Sequence, residues 1–407
     1  MGDVPFIRVQ NIKGGFDINQ DDVIYISKEN NQKIKSSMLN KGDLILSKVG
    51  NIGYFAIVSD ELSPCNISEN NIGIKLSDCT ETEKSFIVTY LNAKYANNLV
   101  LRRKSGNVQP KINVDDIAKI PIVKCAKIES FIHTIIEHHN NLLKKSRICY
   151  KQAEELLNKE LNITNIENTK PYSIRSFSNS FGKSKRLDAE YYQDKFDKLF
   201  SLIRNEKKLS EIASITKSIE PGSNEYKESG IPFIRVSNLS KFGITDSDIY
   251  LDENKFSSTI TPKKDTILFS KDGTVGIAYK VENDTNVITS SAILHLTIKS
   301  PLVLPDYLTL VLNASVVQFQ AERDSGGSIL EHWKVSEIEE LLIPIVDLNI
   351  QTQIAQKVQE SFKLRKQSKD LLEKAVKAVD LAIEQGEEKA IAWLNENTSE
   401  LVLKIIP

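Results

Sequence analysis

Cysteine is scarce in this 407-residue chain, which has only Cys65, Cys79, Cys125 and Cys149. They stand far apart with no Cys-x-x-Cys pair, so the sequence encodes neither a zinc ribbon nor a disulfide framework, and the four read as reduced packing residues. No apolar run approaches the roughly 18 residues of a membrane-spanning helix. No charged-then-apolar leader precedes Gly2, and the expected location is cytoplasmic. Net charge is missing too, with 53 Lys and Arg against 54 Asp and Glu. Global attraction to polyanions is thereby excluded, and a nucleic-acid role has to rest on local basic patches offset by acidic surface elsewhere.

Catalytic signatures are equally absent. There is no Gly-x-Gly-x-x-Gly after a strand, no phosphate loop ending in Gly-Lys-Ser or Gly-Lys-Thr, no His-Glu-x-x-His, and no Asn-Pro-Pro-Tyr or Asp-Pro-Pro-Tyr of the kind amino-methylating enzymes use. His138 and His139 are adjacent on a helical pattern, where neighbours cannot both face one metal, so they read as helix-packing or exposed residues. The carboxylates of "ERDSGG" (Glu322 to Gly327) and "SKDG" (Ser270 to Gly273) read as turn residues. No cluster of carboxylates with a lysine indicates a metal-dependent nuclease.

What the chain does contain is itself, twice. V-P-F-I-R-V (Val4 to Val9) returns as I-P-F-I-R-V (Ile231 to Val236). "GDLILSKVGNIGYFAIV" (Gly42 to Val58) is answered by "KDTILFSKDGTVGIAYKV" (Lys264 to Val281), with Ser-Lys and two glycines in step. "YLNA" (Tyr90 to Ala93) matches "VLNA" (Val311 to Ala314), Ser105-Gly106 matches Ser325-Gly326, and both copies close on I-P-I-V, at Ile120 and at Ile343. Five matches in one order mean duplication. With 40% apolar and 26% charged residues, the length supports two well-buried domains.

Within a copy, β-branched runs broken by Gly, Asn and Asp predict short strands clustered ahead of one late helix, so the fold class is α+β. After each I-P-I-V the pattern changes. Ile128, Ile135, Leu142, Cys149 and Leu156 recur every seven residues, with Ile136, Leu143, Tyr150 and Leu157 in the adjacent row, which predicts a long helix packed on another helix. A second such helix carries Ile350, Ile354, Val358 and Phe362, then Leu371, Ala375, Val379 and Ile383. The simplest arrangement is an antiparallel, coiled-coil-like pair serving as a spacer, each helix roughly 50 Å long. The expected organisation is a first domain over 1–125, a helix over 126–162, a linker over 163–185, a second domain over 186–346, a helix over 347–385 and a tail over 386–407.

Basic and amide-rich loops supply the site candidates. In "LRRKSGNVQPK", Arg102, Arg103, Lys104 and Lys111 have the charge to contact phosphate, while Asn107 and Gln109 have the amide geometry that reads base edges. The second copy offers Arg323, Ser325, Ser328, His332 and Lys334 in the corresponding stretch. The Ser-Lys turns add Lys48 with Asn51, and Lys271 with Thr274. Arg8 and Arg235, in the repeated strand, fit either a phosphate contact or a structural pair with a carboxylate.

Taken in order, P-F-I-R-V followed by Asn-Ile or Asn-Leu, "GDLILSKVGNIG" and "DTILFSKDGTVG", "SGNVQPKINVDDIAKIPIV", the long helices and "RLDAEYYQ" (Arg186 to Gln193) resemble the DNA-specificity subunit of type I restriction-modification enzymes. The resemblance covers nearly all of the chain. It implies two target-recognition domains, each reading half of a split double-stranded DNA site. It also implies that the chain is no catalyst and binds no cofactor. S-adenosylmethionine is expected in partner adenine-methyltransferase subunits, and cleavage in a motor-nuclease subunit. The alternative from another class is an architectural protein whose globules bind protein.

Two departures stand out. His332-Trp333 occupies the place of the Gln109-Pro110 pattern. The second copy also has 45 residues from Arg186 to Gly230 before its repeated strand, the first only Met1 to Val4. The expectation is a first domain whose opening segment was lost or is supplied by another chain, with a sheet edge left unpaired.

Overall fold

A computed structural model describes residues 2–398, except 13, 15, 51, 107–109, 164, 165, 168, 169, 171 and 326–330. Asn51, Asn107, Gln109 and Ser328 therefore lie outside the described residues. Among the described residues the first module holds six strands: β1 (Val4–Ile7), β2 (Ile24–Ile26), β3 (Leu44–Ser47), β4 (Phe55–Ile57), β5 (Asn66–Ile67) and β6 (Asn71–Ile74). Its helices are α1 (Lys28–Lys33), α2 (Glu81–Asn92), α3 (Lys94–Leu101) and α4 (Val114–Ala118), and the long α5 (Glu129–Leu161) follows.

Into the second module lead α6 (Phe181–Ser184), α7 (Asp194–Leu202), β7 (Glu206–Lys208), α8 (Leu209–Ile212) and β8 (Ala213–Lys217). Its body starts with β9 (Ile231–Ile234), β10 (Leu239–Ser240), β11 (Gly243–Ile244), β12 (Tyr250–Leu251) and α9 (Glu253–Phe256). Next come β13 (Ile267–Ser270), β14 (Asp272–Gly273), β15 (Ala278–Lys280), β16 (Ile288–Thr289) and β17 (Ile293–Ile298). It closes with α10 (Pro305–Asn313), α11 (Ser315–Asp324), β18 (Glu331–His332), α12 (Val335–Glu339) and β19 (Leu342–Pro344). The long α13 (Leu348–Gln385) and α14 (Glu387–Asn397) end the described chain.

The duplication holds at the level of strand pairing. The sheet β2-β1-β5 is repeated as β12-β9-β16, and β4-β3-β6 as β15-β13-β17. Each copy combines one antiparallel and one parallel pair around the P-F-I strand, with Phe6 opposite Asn66 and Phe233 opposite Ile288 in the parallel pairs. β3 and β13 are buried at all four positions, which is why their sequences, Leu-Ile-Leu-Ser and Ile-Leu-Phe-Ser, show no alternation. β8 adds a fourth strand on β17, and the described residues place none on the outer edge of β6.

The sequence pattern predicts one late helix per module, but each is in fact two. α2 and α3 part at Asn92-Ala93, α10 and α11 at Asn313-Ala314, where both alanines are extended. The asparagine side chain leaves the helix pattern to act as a strand's hydrogen-bonding partner. Asn92 Nδ2 donates to Phe55 O at 2.8 Å while its Oδ1 accepts from Phe55 N at 3.1 Å. Asn313 repeats this on Ala278, at 2.7 and 3.0 Å. One helical turn on, Asn97 and Gln318 donate to the carbonyls of Gly53 and Gly276. Both glycines have positive φ, 109° and 82°, and a Cβ on Gly276 would come within 2.7 Å of the Gln318 amide. This contact accounts for the second of the two repeated glycines, Gly53 and Gly276.

The chain divides into two compact units, residues 1–144 with 364–407, and 145–363. Each has its own core and takes half of each long helix. In the first unit Ile128, Ile132, Ile135 and Ile136 of α5 share a cluster with Leu371, Ala375, Ala378 and Val379 of α13. Residues 387–397 of the expected tail are helical, and Ala390 and Leu394 of α14 are buried in that same cluster. Glu387 accepts the backbone N–H groups of Lys127 and Ile128, at 2.6 and 3.0 Å, where α5 begins. His139 is a helix-packing residue: its Nδ1 lies 2.7 Å from Ser368 Oγ, and its Nε2 is 3.2 Å from Asp17. In the second unit Tyr150, Ala153, Leu157 and Leu161 of α5 meet Ile354 and Val358 of α13, with Ser146 and Ser361 hydrogen-bonded at 3.0 Å inside the contact. Both halves pair antiparallel.

All four cysteines are free, and burial pushes the Cys65 thiol up to about 12. Among the described residues no helix is long and apolar enough to cross a membrane, and no cluster of His, Cys, Asp and Glu could hold a metal.

Two predictions concern these cores. Asn313→Ala strands a buried N–H and C=O at the edge of β15 and should destabilise its module by roughly 2–4 kcal/mol, whereas Asn92→Ala strands only the Phe55 N–H, since Phe55 O also accepts from Phe16 N at 2.8 Å, and should cost roughly 1–3 kcal/mol, both read as a lowered unfolding midpoint. His295, buried in β17 with its Nε2 2.8 Å from Thr289 Oγ1, is pushed by burial from 6.5 down to about 4. The unfolded state therefore takes up the proton first, and stability present above pH 6.5 should fall as pH drops toward 4. His295→Phe should flatten that part of a denaturation profile measured against pH.

Candidate nucleic-acid interface

In both modules the Ser-Lys turn and the loop after the late helices, far apart in sequence, are joined through their main chains. In the first module, Ile112 N donates to Lys48 O at 3.0 Å, Gly50 N to Pro110 O at 3.3 Å, and Val49 bridges to Lys111. Ser105 and Lys111 exchange two bonds of 2.8 Å and so close the loop between them. In the second module β14 and β18 pair, with Asp272 opposite His332, and Trp333 N donates to Lys271 O at 2.9 Å. Ser47 and Ser270 fold the turns from within, their hydroxyls donating to Val49 O and Thr274 O, both at 2.6 Å.

This pairing corrects the alignment made from sequence. His332 takes the place of Lys111, and Trp333 that of Ile112; Gln109-Pro110 has another counterpart. Ile112 and Trp333 are both fully buried, plugging the core beneath the loop, and Trp333 lies 5.8 Å from the Phe269 ring. A tryptophan in a polar-looking loop is thus explained by packing.

The charged residues then divide unevenly. Arg102, Lys104 and Lys111 are exposed and Lys48 half-buried, and none has a side-chain ionic partner among the described residues. Arg103 turns back to donate to Leu99 O at 3.2 Å. In the second module the candidate cations already have counter-charges. Arg323 forms a two-pronged pair with Asp324, at 2.6 and 2.9 Å, and lies over the Phe200 and Tyr191 rings at 4.3 and 5.1 Å. Buried Lys271 and exposed His332 both contact Asp272, and Lys334 is 3.5 Å from Glu337. Thr274 is exposed, and Ser325 caps the end of α11.

Asp272 and Asp324 are the residues that reading the sequence missed. Both look like turn formers, and the available signal was a cation immediately before each, Lys271-Asp272 and Arg323-Asp324. Arg186 of "RLDAEYYQ" belongs to the same region: its NH1 donates to Asp324 O at 3.1 Å, and its guanidinium lies 4.6 Å from the Tyr191 ring. Its hydrogen bonds to Asp188 hold that carboxyl below the usual range.

Arg8 and Arg235 sit alike in the two copies, each beside an aspartate of its own module. Arg8 reaches Asp22, 2.7 Å to its carbonyl and 3.7 Å to its carboxylate, and Arg235 lies 3.4 Å from Asp248. Asn11 and Asn238 cap the backbone N–H of these arginines, at 2.8 and 3.1 Å.

The family model described as "Type I restriction modification DNA specificity domain" matches residues 1–125 and again 204–374. Among solved structures, the type I restriction-modification S subunit from M. genitalium is 13% identical, with a TM-score of 0.36, over 93% of this chain and 87% of that one. The HsdS subunit from Thermoanaerobacter tengcongensis is 14% identical, with a TM-score of 0.31, over 94% and 90%. No curated protein matches. With two copies of the domain covering most of its length, the chain belongs to the type I restriction-modification DNA-specificity family, whose members are the non-catalytic S subunits of their enzyme complexes.

Proposed function

We propose that the chain reads a bipartite double-stranded DNA target, one half-site per module. Each module contributes the face formed by its Ser-Lys turn and the loop joined to it. The observation that carries this reading is the turn-and-loop junction itself, built twice from equivalent backbone bonds (Ile112 to Lys48, Trp333 to Lys271) in a chain of this family. A loop held at its base by main-chain bonds presents side chains without the ordering cost of a free loop.

Phosphate contact falls mainly to the first module, where Lys48, Arg102, Lys104 and Lys111 have charge to spare, while Asn107 and Gln109 carry base-edge chemistry. In the second module phosphate has to compete with Asp272, Asp324 and Glu337 for the same cations, so Ser325, Ser328, Thr274 and His332 weigh more through hydrogen bonding than through charge. The paired long helices dock DNA adenine methyltransferase subunits, which bring S-adenosylmethionine, and through them a motor-nuclease subunit.

The test is a salt series on duplex binding by the assembled complex. Removing one of Arg102, Lys104 or Lys111 should lower the slope of log K against log salt by about one, and Arg323→Ala by clearly less, since its charge is already matched. Salt-independent binding overturns the reading. Asn107→Ala or Gln109→Ala should alter which sequences are methylated more than how tightly DNA is held, as methylome sequencing of cells carrying each variant would show.

A further inference from the structure

At the end of α11 all three nitrogens of one guanidinium are engaged. Arg186 Nε and Nη2 donate to the two carboxylate oxygens of Asp188, at 2.8 and 2.5 Å, which leaves Nη1 to donate to Asp324 O at 3.1 Å, 138 residues further along the chain. Asp324 is the last residue of α11, where carbonyls lack a partner within the helix and the helix dipole favours a cation. Arg186 therefore caps that helix.

The Tyr191 ring seats the cap, with the Arg186 guanidinium 4.6 Å from its centroid and the Arg323 guanidinium 5.1 Å from it. Arg323 also holds the Asp324 carboxylate and lies 4.3 Å from the Phe200 ring, and Lys195 pairs with Glu322. Glu322, Arg323 and Asp324, which close α11, are thus each bound to the segment Arg186–Phe200.

The two modules hold their loops by different means. Ser325, extended at φ −64° and ψ 140°, is where the chain leaves α11, and its N–H donates back to Ala321 O at 2.8 Å. The equivalent Ser105 N–H donates to Lys111 O at 2.8 Å instead, closing the first loop on itself, and Arg103 reaches back along its own helix to Leu99 O at 3.2 Å. In the second module the far end is held by the pairing of His332 with Asp272, and the near end by Arg186.

We infer that Arg186, seated on Tyr191, is a positioning residue for sequence readout by the second module. It fixes the exit of the chain from α11, and so the placement of Ser325 against its half-site, without contacting DNA itself. Lysine cannot take over this role, because an ammonium has no planar fork to hold Asp188 and the Asp324 carbonyl while lying on a ring. The inference rests on the reading of DNA proposed above.

The experiment compares Arg186→Lys, Tyr191→Ala and Tyr191→Phe with the unaltered full chain. Amide hydrogen exchange at residues 323–325 should quicken about tenfold or more in Arg186→Lys and Tyr191→Ala and stay unchanged in Tyr191→Phe, with residues 293–298 unchanged in all three. Methylome sequencing of cells carrying each chain with its partner subunits then reads the consequence. Arg186→Lys and Tyr191→Ala should broaden the bases accepted in one half of the two-part motif, the half that Asn107→Ala leaves alone, and Tyr191→Phe should broaden neither. Unchanged exchange at 323–325, or a fall in methylation with both halves of the motif kept, overturns the inference and leaves the DNA reading standing. An unaltered chain that yields no two-part motif overturns the DNA reading, and the inference falls with it.

Discussion

The amide group of one side chain in each module holds the rest in place. Asn313 satisfies a backbone donor and acceptor on β15, Asn92 satisfies a donor on β4 and shares an acceptor there with Phe16 N, and by leaving the helical pattern both set the angle at which the next helix departs. That departure puts Asn97 and Gln318 over the glycine carbonyls of the Ser-Lys turn, fixing the turn, and the turn in turn offers the carbonyl of Lys48 or Lys271 to the loop that follows the helices. Sheet, helices, turn and loop are thus tied by a short series of polar contacts over an apolar core. Leaving any of these buried backbone groups unpaired costs more than the bond itself contributes, so the series is cooperative.

Much of this architecture was legible in the sequence. The repeated P-F-I-R-V, Ser-Lys and I-P-I-V segments located equivalent strands and turns, and the seven-residue recurrence from Ile128 to Leu156 located a helix that packs along its length. The helix break at Asn92 was hidden, because asparagine within an apolar helical pattern carries no local mark of a partner some forty residues away. α14 was hidden by emphasis: Gly386 followed by Glu387 and Glu388 is a usable helix-start signal, with positive φ at the glycine and acidic residues in the first turn. The alignment of His332 and Trp333 could not come from residue type, since a tryptophan standing in for an isoleucine is visible only once the backbone pairing is known.

The charged surface was the least legible part. Arg102, Lys104 and Lys111 have no side-chain ionic partner among the described residues, whereas Arg323 and Lys271 have theirs in the adjacent Asp324 and Asp272. The two modules therefore share a skeleton but differ in how the cations of their loops are paired, a difference that a net charge of −1 does not reveal. Arg8 and Arg235 make a related point: the most conspicuous repeated arginines each lie beside an aspartate of their own module, Asp22 and Asp248.

The spacing of the shared contacts has an evolutionary consequence. Arg8 and Gly53 are 45 residues apart, but Arg235 and Gly276 only 41; Gly53 and Asn92 are separated by 39, Gly276 and Asn313 by 37. The length differences from Arg8 to Asn92 and from Arg235 to Asn313 lie between anchors, and none has moved an anchor against its partner. Insertions and deletions in such a scaffold can remodel the exposed segments while the anchored frame is inherited intact, so the two halves are free to diverge in what they recognise.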